Sequence, residues 1–245
     1  MGLITDTTLS VSQDSNFDYW WKRHGSWVEA PNRRRGGESG VQMLQQDDST
    51  QPLLYCKRQI GHIYRSFLCP WGRPTVLREQ LAYLSFEHLG IKLPRVVYCG
   101  ARRQEGQWQA LFITEALEVG FVSLEQWYGS IPPEAHDSPT SREVFRQLGA
   151  ILARLHLSGW QHGCCYPKHL FVKIQPQENE GTLVDIALLD LEKSRRRWRI
   201  RDASRHDLGQ LWRHRGKMRD VDWNLIKDAH ACALLSGTSS IRKPS

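Results

Sequence analysis

The chain of 245 residues is 40% hydrophobic and 24% charged, which is ordinary for a globular protein. It contains no apolar run near the roughly 20 residues that a membrane-spanning helix needs, and it starts without the basic and apolar regions of a secretory signal. We therefore expect a cytoplasmic protein. The net charge of +7 favours anionic partners, and the six cysteines, which include no CxxC pair, suggest neither disulfides nor a zinc site.

The first elements are rich in aromatic residues and glycines. We expect residues 1–16 to form a flexible tail and the aromatic residues 17–29 to cap a small sheet. Gly36, Gly37 and Gly40 then predict a hairpin turn whose backbone can approach a ligand closely. Most glycine runs of this kind are plain turns, so the signal is weak by itself.

A strand that contains a lysine precedes a helix that contains a glutamate. Residues 53–60 read as a strand around Lys57, and a lysine in mid-strand normally faces solvent. The next helix is predicted to begin at Pro74, a favoured first-turn residue, and to end at Gly90.

This helix is apolar on two sides, so we expect it to be buried on both. One face carries Leu77, Leu81, Leu84 and His88, and the other carries Val76, Glu79, Tyr83 and Phe86. A buried carboxylate is costly without a cationic partner. Lys57 is the natural candidate, and the sequence therefore predicts an ion pair between Lys57 and Glu79.

The middle of the chain predicts two more strands and a long helix. Residues 95–100 and 110–117 form strands around a polar hairpin loop at 102–107, and the second strand ends near Glu115. After a linker at 130–141, a helix begins at Thr140 with Glu143 as its capping-box partner. Its apolar stripe, broadened by Phe145 and Leu152, contains Val144, Leu148, Ile151 and Leu155.

That helix ends near Gly159 and leads into a loop with several chemically active side chains. The loop contains His162, Cys164, Lys168 and His169, and two short strands at 170–174 and 183–189 follow it. Asp190 comes directly after the second strand, so it is an acid at the end of a buried strand. Asp207 resembles a helix N-cap, and a last helix is predicted at about 222–235.

These elements follow the order of the parts that transfer phosphate in protein kinases. Kinases have a glycine-rich turn, a strand lysine for the phosphates, a helical glutamate that orients the lysine, a catalytic loop and a metal-binding aspartate. Here these are the turn at 36–40, Lys57, Glu79, the loop from His162 and Asp190. The strand end at Glu115 is where a kinase hinge presents backbone groups to adenine.

The chain resembles the Kdo/WaaP-type lipopolysaccharide kinase family, and in particular its InaA-like branch. The resemblance covers residues 17–215, and its motifs are Tyr55–Arg58, Leu77–Glu79, Leu89–Gly90, His162–Phe171, Leu189–Leu191 and Asp207–Leu208. It implies a protein-kinase-like bilobal α+β fold, with a small antiparallel sheet plus helix in an N-lobe at 17–120. A mainly helical C-lobe is expected at 121–236, followed by a flexible tail at 237–245.

The resemblance also implies cofactors, partners and residue roles. ATP and Mg²⁺ are the implied cofactors, and a sugar of the lipopolysaccharide inner core is the implied acceptor, at the inner face of the inner membrane. Lys57 matches the nucleotide-binding lysine, Glu79 its partner and Asp190 the metal-binding aspartate. His169 takes the position of the kinase asparagine as a second metal ligand, and Asp207 matches an acid that braces the loop. We expect Lys57, Glu79 and Asp190 to meet at one triphosphate pocket.

The departure from the family is Cys164, which stands where active members carry the catalytic aspartate. Losing a general base typically costs about 10²–10⁴ in rate. Three interpretations stay open: a slow kinase helped by Asp185 or Glu192, a nucleotide-binding pseudokinase, or a Cys164 thiolate whose pKa is lowered by Lys168 and His162. Lys168 itself either contacts the γ-phosphate or is solvated.

Two basic clusters are candidates for anion binding. One is Arg33–Arg35, and the other runs from Lys193 to Arg205 where a kinase has its activation segment. A charge run is usually a solvated face, but core oligosaccharide or phospholipid head groups are suitable ligands here. No nucleic-acid reader motif accompanies the charge, so we expect no nucleic-acid partner.

Overall fold

The structure, a computed structural model, describes residues 16–34, 36–46, 50–66, 69–176 and 182–241. The chain forms two compact units. The first contains Met1–Gln80 and Pro94–Ala116, and the second contains Leu81–Leu93 and Leu117–Ser245. The expected tail residues 1–15 and 242–245, and Arg35 of the first basic cluster, lie outside the described residues.

The first unit is built on a five-stranded antiparallel sheet with the order β1-β2-β3-β7-β6. Its strands are β1 (Ser26–Arg34), β2 (Gly37–Leu44), β3 (Leu54–Ile60), β6 (Val96–Gln104) and β7 (Gln107–Glu115). A separate hairpin joins β4 (Ile63–Ser66) to β5 (Cys69–Pro74). The strands predicted at 53–60, 95–100 and 110–117 are therefore present.

The hairpin between β6 and β7 is tighter than the sequence suggests. Only Glu105 and Gly106 form its turn, and both have positive φ, at 51° and 78°. Positive φ at both central positions is typical of a type I′ turn, whose twist matches that of the flanking strands. The polar residues that we assigned to a loop at 102–107 mostly belong to the strands, on an edge where side chains reach water.

A short helix covers one face of this sheet. Residues 16–22 form helix α1, and its Phe17 is buried in a cluster with Leu44, Leu54, Cys56, Leu111 and Ile113. Trp20 and Trp21 pack against the same cluster, as expected for an aromatic cap. Arg58, which is only 7% exposed, donates from its guanidinium to the carbonyl oxygens of Trp21 and Arg23 and so holds the end of α1.

Helix α2 (Thr75–His88) follows β5, and it is buried on one side only. Val76 and Phe86 are fully buried, and Glu79 and Tyr83 lie on the same side. Leu81 is 58% exposed and Leu84 49% exposed, so the expectation of burial on both sides is wrong. Spacing shows where apolar residues lie on a helix but not whether a partner covers them, and folded proteins expose much apolar surface.

The second unit contains most of the helical residues. Helices α3 (Leu124–Ser130), α4 (Pro139–Leu157), α5 (Ile200–Arg213) and α6 (Asp220–Ile241) are joined by 3-10 turns and short strands. Strands β8 (Val122–Ser123), β10 (Leu170–Pro176) and β11 (Thr182–Leu188) form a sheet of order β11-β10-β8. Strands β9 (Trp160–Gln161) and β12 (Arg195–Arg196) form a second, antiparallel pair.

Helix α4 is the centre of this unit. Its predicted stripe is confirmed: Val144, Phe145, Leu148, Leu152 and Leu155 are fully buried, and Ile151 is half-buried. The predicted N-cap is wrong, because the Ser138 side chain accepts from Ser141 N and the helix begins at Pro139. Glu143 bonds with Arg146 and Gln147 instead of closing a capping box.

Two further boundaries differ from the sequence predictions. Asp207 lies in the middle of α5 and is buried, so it does not cap that helix. Helix α6 continues to Ile241, beyond the predicted end at residue 235. Among the helices of the described residues, none combines the length and hydropathy that a bilayer crossing requires.

Candidate functional site

Lys57 and Glu79 form the predicted ion pair in the first unit. Lys57 Nζ lies 2.7 Å from Glu79 Oε2, and the two side chains are 15% and 4% exposed. Residues alternate between faces along a strand, so Lys57 points away from the core residues Leu54 and Cys56 and toward α2. A lysine held by a buried carboxylate has a fixed ammonium position, as the binding of a phosphate oxygen requires.

Gln59, a residue that the sequence analysis overlooked, fixes the helix that carries Glu79. Its Nε2 donates to Thr75 Oγ1 at 2.7 Å and its Oε1 accepts from Val76 N at 3.3 Å. Both bonds are at the first turn of α2, where backbone N–H groups lack partners within the helix. Gln59 is 1% exposed. Its position two residues after Lys57, on the same strand face, is the signal that could have found it.

The glycine turn has an explanation inside the protein. A Cβ on Gly37 would lie 2.7 Å from the Gly61 carbonyl oxygen, and a Cβ on Gly40 would lie 2.6 Å from the Trp27 ring. The contact at Gly37 is with backbone and cannot relax, so packing alone requires glycine there, whereas at Gly40 the Trp27 ring, which is 44% exposed, would have to move. Gly36 forms the turn itself with φ of 75°. The nucleotide role of the three glycines stays a prediction.

Glu115 is the last residue of β7, and both its backbone N–H and its carboxylate bond to residues of the first unit. Its N–H donates to Arg95 O at 2.9 Å, and the next N–H, of Ala116, donates to Leu53 O at 2.7 Å. Hydrogen bonding to the Arg95 guanidinium lowers the pKa of the Glu115 carboxyl. These two N–H groups are thus committed to protein oxygens, and an adenine contact by Glu115 stays a prediction that depends on its carbonyl oxygen.

In the second unit, Asp207 braces the loop that begins at His162. Its Oδ2 accepts from His162 N at 2.6 Å and its Oδ1 accepts from Gly163 N at 3.0 Å. Burial alone raises the pKa of Asp207, but hydrogen bonds from His156 and His206 outweigh it and hold the pKa well below its usual range. A buried, charged carboxylate therefore fixes two consecutive backbone groups of the loop.

Gln210 and Ser194 hold the rest of this loop through further hydrogen bonds. Gln210 accepts from Cys165 N at 3.0 Å and donates to Gly163 O at 3.1 Å, and Ser194 donates to His162 O at 2.8 Å. Gly163 has φ of 82°, and a Cβ there would lie 2.4 Å from the Lys193 carbonyl oxygen. The loop conformation thus depends on glycine. His162 is fully buried and its Nδ1 accepts from Cys164 N, in keeping with a packing role.

Cys164, His169 and Asp190 come together in this loop. Their ligand atoms all lie within 4.8 Å of one another, and His169 Nδ1 is 3.6 Å from Asp190 Oδ2. The Cys164 side chain is nearly buried, whereas those of His169 and Asp190 are 17% and 35% exposed. The structure therefore groups the two residues predicted as metal ligands, His169 and Asp190, with Cys164, one of the two predicted as catalytic.

The thiolate interpretation of Cys164 is wrong. Burial, the nearby Asp190 carboxylate and a hydrogen bond to that carboxylate raise the pKa of the Cys164 thiol to about 12, although Lys193 acts in the opposite direction. The sequence suggested that Lys168 and His162 would lower it. His162 cannot, because burial lowers the pKa of His162 to about 4 and keeps it neutral near pH 7. Cys164 is therefore a thiol in the protein without a bound metal.

Asp190 has an unusual backbone conformation. Its φ of 58° and ψ of 62° place it in the left-handed region, which non-glycine residues seldom adopt. Such a residue costs on the order of 1–3 kcal/mol, and strain of this kind clusters at functional sites. The bend directs the chain into the 3-10 turn Leu191–Lys193 just after β11. This conformation points to a function for Asp190 beyond packing.

The remaining acids and Lys168 lie in different surroundings. Asp185 on β11 is paired with Lys92 at 2.7 Å, so it is engaged elsewhere, while Glu192 is close enough to raise the pKa of Cys164. Lys168 is exposed and lines a cavity of about 320 Å³ with Glu125, Tyr166, Pro167 and His214. Its catalytic role stays a prediction.

Of the two implied cofactors, ATP fits the residues present better than Mg²⁺ does. A fixed ammonium at Lys57 suits nucleotide phosphates. The Asp190 carboxylate suits Mg²⁺, which takes oxygen ligands in octahedral geometry, but the thiol and imidazole beside it do not. The cluster as a whole therefore fits Mg²⁺ poorly.

Comparisons with known proteins identify the class and then the family. WaaP, solved in complex with acyl carrier protein, aligns over 98% of both chains with a TM-score of 0.62 and 16% sequence identity, so the chain has a protein-kinase-like fold. The lipopolysaccharide kinase (Kdo/WaaP) family model matches residues 18–230. The chain belongs to this family.

Two further similarities differ in strength. Protein InaA of Escherichia coli (strain K12) is 36% identical over 211 residues, which cover 86% of this chain and 93% of InaA. The Rio2 kinase from Chaetomium thermophilum, solved with ADP, Mg²⁺ and phosphoaspartate, covers 97% of this chain at 10% identity. Its TM-score of 0.48 is too low to support an argument. The fold class and the family predicted from sequence are confirmed.

Proposed function

We propose that this protein is an ATP-dependent kinase that phosphorylates a sugar of the lipopolysaccharide inner core. The observation that supports it most is the buried ion pair of Lys57 with Glu79, whose oxygen and nitrogen are 2.7 Å apart. A buried lysine–glutamate pair contributes little net stability, so its presence is better explained by a ligand. Nucleotide phosphates are the ligand that the family implies. The common pocket for Lys57, Glu79 and Asp190 stays a prediction.

The acceptor follows from family membership and from charge. The segment 195–201 carries five arginines, of which Arg195, Arg196, Arg199 and Arg201 are exposed, and its Trp198 is fully exposed. An exposed tryptophan flanked by arginines suits an anionic glycolipid at a membrane surface. We propose that this segment contacts the lipid acceptor and that the protein works peripherally at the inner face of the inner membrane.

The expected reaction is slow. Cys164 provides no fixed negative charge to accept the proton of the acceptor hydroxyl, and the loss of a general base costs about 10²–10⁴ in rate. Positioning and electrostatic stabilisation account for most of the catalysis of phosphoryl transfer, so a residual rate is expected without the base. Glu192 is the acid beside Cys164 that can assist.

A second candidate function is a nucleotide-binding regulator without phosphotransfer. The observation that favours it is the burial of Cys164 as a protonated thiol at the position of the catalytic aspartate. Such a loop can hold a nucleotide-dependent conformation without completing the reaction. The two candidates share nucleotide binding and differ in product formation.

The test is transfer of labelled γ-phosphate from ATP to purified core lipid. We expect slow incorporation by the wild-type protein and a rate about 10²–10⁴ higher in Cys164→Asp, which restores the base. Cys165→Asp has the same charge change one residue away and should give no increase. If neither the wild type nor Cys164→Asp incorporates label while both bind ATP, the kinase proposal is wrong and the regulator is supported.

A further inference from the structure

The donor atoms of Cys164, His169 and Asp190 have a chemistry that the family's magnesium role does not explain. A thiol sulfur, an imidazole nitrogen and a carboxylate oxygen all lie within 4.8 Å of one another. Sulfur and nitrogen donors select zinc-class ions, whereas Mg²⁺ prefers oxygen alone. We propose that this protein binds one Zn²⁺ ion through Cys164 Sγ, a ring nitrogen of His169 and the Asp190 carboxylate.

The spacing of the donors suits a tetrahedral ion. Zinc bonds of about 2.3 Å to sulfur and about 2.0–2.2 Å to nitrogen and oxygen place tetrahedral ligands roughly 3.4–3.6 Å apart. His169 Nδ1 and Asp190 Oδ2 are separated by 3.6 Å. Cys164 Sγ lies within 4.8 Å of both other ligand atoms, so the ligands hold the ion after movements of roughly 1 Å. Three protein ligands leave a fourth position for water or a ligand oxygen, as in catalytic zinc sites.

Backbone hydrogen bonds hold the three residues beside one another before any ion binds. His169 N donates to Tyr166 O at 2.8 Å and Leu189 N donates to His169 O at 2.9 Å, so the segment before Asp190 is tied to His169. Cys164 is held by the loop that Asp207 braces, and its carbonyl oxygen accepts from His169 Nδ1 at 2.9 Å. Coordination through Nδ1 replaces that bond, and the ring then carries its proton on Nε2.

Charge balance also favours the ion. In the metal-free protein, the Cys164 thiol donates to the Asp190 carboxylate. Zn²⁺ displaces the thiol proton to solvent, and the thiolate and carboxylate together neutralise its two positive charges. The partial exposure of Asp190 leaves a route for the ion to enter. The strained backbone of Asp190 is then explained by the geometry of a ligand.

The experiment uses the full chain, stripped with a chelator and free of nucleotide. Zn²⁺ is titrated against a chromophoric competitor, and Co²⁺ is added separately to detect a thiolate-to-cobalt charge-transfer band. We expect one equivalent of Zn²⁺ to bind, a cobalt–thiolate band, and no displacement by a large excess of Mg²⁺. Because no ATP is present, failure of the kinase proposal leaves this result unaffected.

Variants identify the ligands. Cys164→Ser should remove the cobalt band, and Asp190→Asn, which tolerates the left-handed backbone, should lower Zn²⁺ affinity by at least about 10-fold. Cys164→Asp should weaken the preference for Zn²⁺, so that a large excess of Mg²⁺ competes measurably. Cys165→Ser removes the neighbouring buried thiol, which is not in the cluster, and should keep both stoichiometry and band.

The wild-type protein alone can overturn the inference. Absence of a cobalt–thiolate band, or equal binding of Mg²⁺ and Zn²⁺, contradicts it even if every variant fails to fold. Equal Zn²⁺ binding by the wild type and a folded Cys164→Ser would mean that other histidines and cysteines hold the metal, which also overturns the inference.

Discussion

Asp207 illustrates how one residue determines the conformation of the candidate catalytic loop. It is fully buried and accepts backbone hydrogen bonds from His162 and Gly163. An asparagine at position 207 keeps one acceptor oxygen, but its amide NH₂ replaces the other and faces a backbone N–H, so two donors oppose each other. The loop therefore depends on two carboxylate oxygens rather than on side-chain size.

We predict that Asp207→Asn lowers the free energy of unfolding by about 3–5 kcal/mol, because it breaks a buried, charged hydrogen-bond network. Asp202→Asn on the same helix, where the side chain is half-buried in the first turn, should cost less than about 1 kcal/mol. Denaturant unfolding of both variants checks this. Equal losses would show that Asp207 acts only through its helix.

The residues of the candidate site differ in how far the sequence could predict them. The pairing of Lys57 with Glu79 is confirmed, and it was predictable because a buried carboxylate needs a cationic partner. The loop residues His169 and Asp190 are grouped, but the inclusion of Cys164 depends on a turn geometry that spacing does not encode. Gln59 carries no charge, and its one signal, a position two residues after Lys57 on the same strand face, gains meaning only once its partner helix is known.

At the scale of elements, helix α4 shows how local chemistry decides a boundary. Ser138 and Thr140 both have side chains that can cap a helix, and we assigned the cap to Thr140 because of Glu143. Pro139 decides the matter, because proline is favoured at the first helical position and so sets Ser138 as the cap. The capping-box pattern was a coincidence of spacing.

Removal of the cap distinguishes these assignments. We predict that Ser138→Ala lowers the free energy of unfolding by about 1 kcal/mol, the typical value of a lost N-cap. Thr140→Ala should change it by less than about 0.5 kcal/mol. Thermal or urea unfolding of the two variants is sufficient. A larger loss in Thr140→Ala than in Ser138→Ala would contradict the observed helix start.

Helix α2 provides a similar contrast between its two faces. Leu81→Gln and Leu84→Gln should each change stability by less than about 0.5 kcal/mol, because both leucines are about half exposed. Phe86→Ala should cost about 3–5 kcal/mol, since Phe86 is fully buried. Unfolding measurements on the three variants check this. A large loss in either leucine variant would restore the two-sided burial that the sequence suggested.

At the scale of the whole molecule, buried histidines make stability depend on pH. Burial lowers the pKa of His230 from 6.5 to about 4, and His230 Nε2 bonds with His156 Nδ1 at 2.8 Å. When a group has a lower pKa in the folded protein, the unfolded chain binds its proton first as the pH falls. The free energy of unfolding is therefore highest above the unfolded pKa and decreases as the pH falls toward the folded pKa. The low pKa of Asp207 acts in the same sense at lower pH, below its unfolded value of 3.8.

We therefore predict that the free energy of unfolding falls by up to about 3 kcal/mol between pH 6.5 and pH 4 because of His230. His230→Gln should reduce this slope by about half, whatever its effect at pH 7, because burial also lowers the pKa of His162 to about 4 and His162 remains in the variant. Urea unfolding of both proteins at a series of pH values measures the two slopes. Identical slopes would show that His230 does not titrate differently on unfolding.

The fold class was predictable because the order of elements is regular, whereas details that depend on tertiary contacts were not. Apolar periodicity located α4 and the strands, and a lysine strand followed by a glutamate helix indicated the kinase class. The exposed face of α2, the mid-helix position of Asp207 and the packing role of Gly37 and Gly40 all depend on what lies beside each residue in space. The sequence shows the apolar periodicity of a segment but not which residues of other segments pack against it.

Nucleotide binding through Lys57 is the central claim, and thermal unfolding with and without Mg-ATP tests it most directly. At ATP concentrations near 100 times the dissociation constant, stabilisation of about 2.7 kcal/mol should raise the melting temperature by roughly 5–10 °C. The control Lys92→Ala, which removes an equally short pair with Asp185, should shift as the wild type does. Lys57→Ala should show no shift, and a shift in Lys57→Ala equal to that of the wild type would contradict the account.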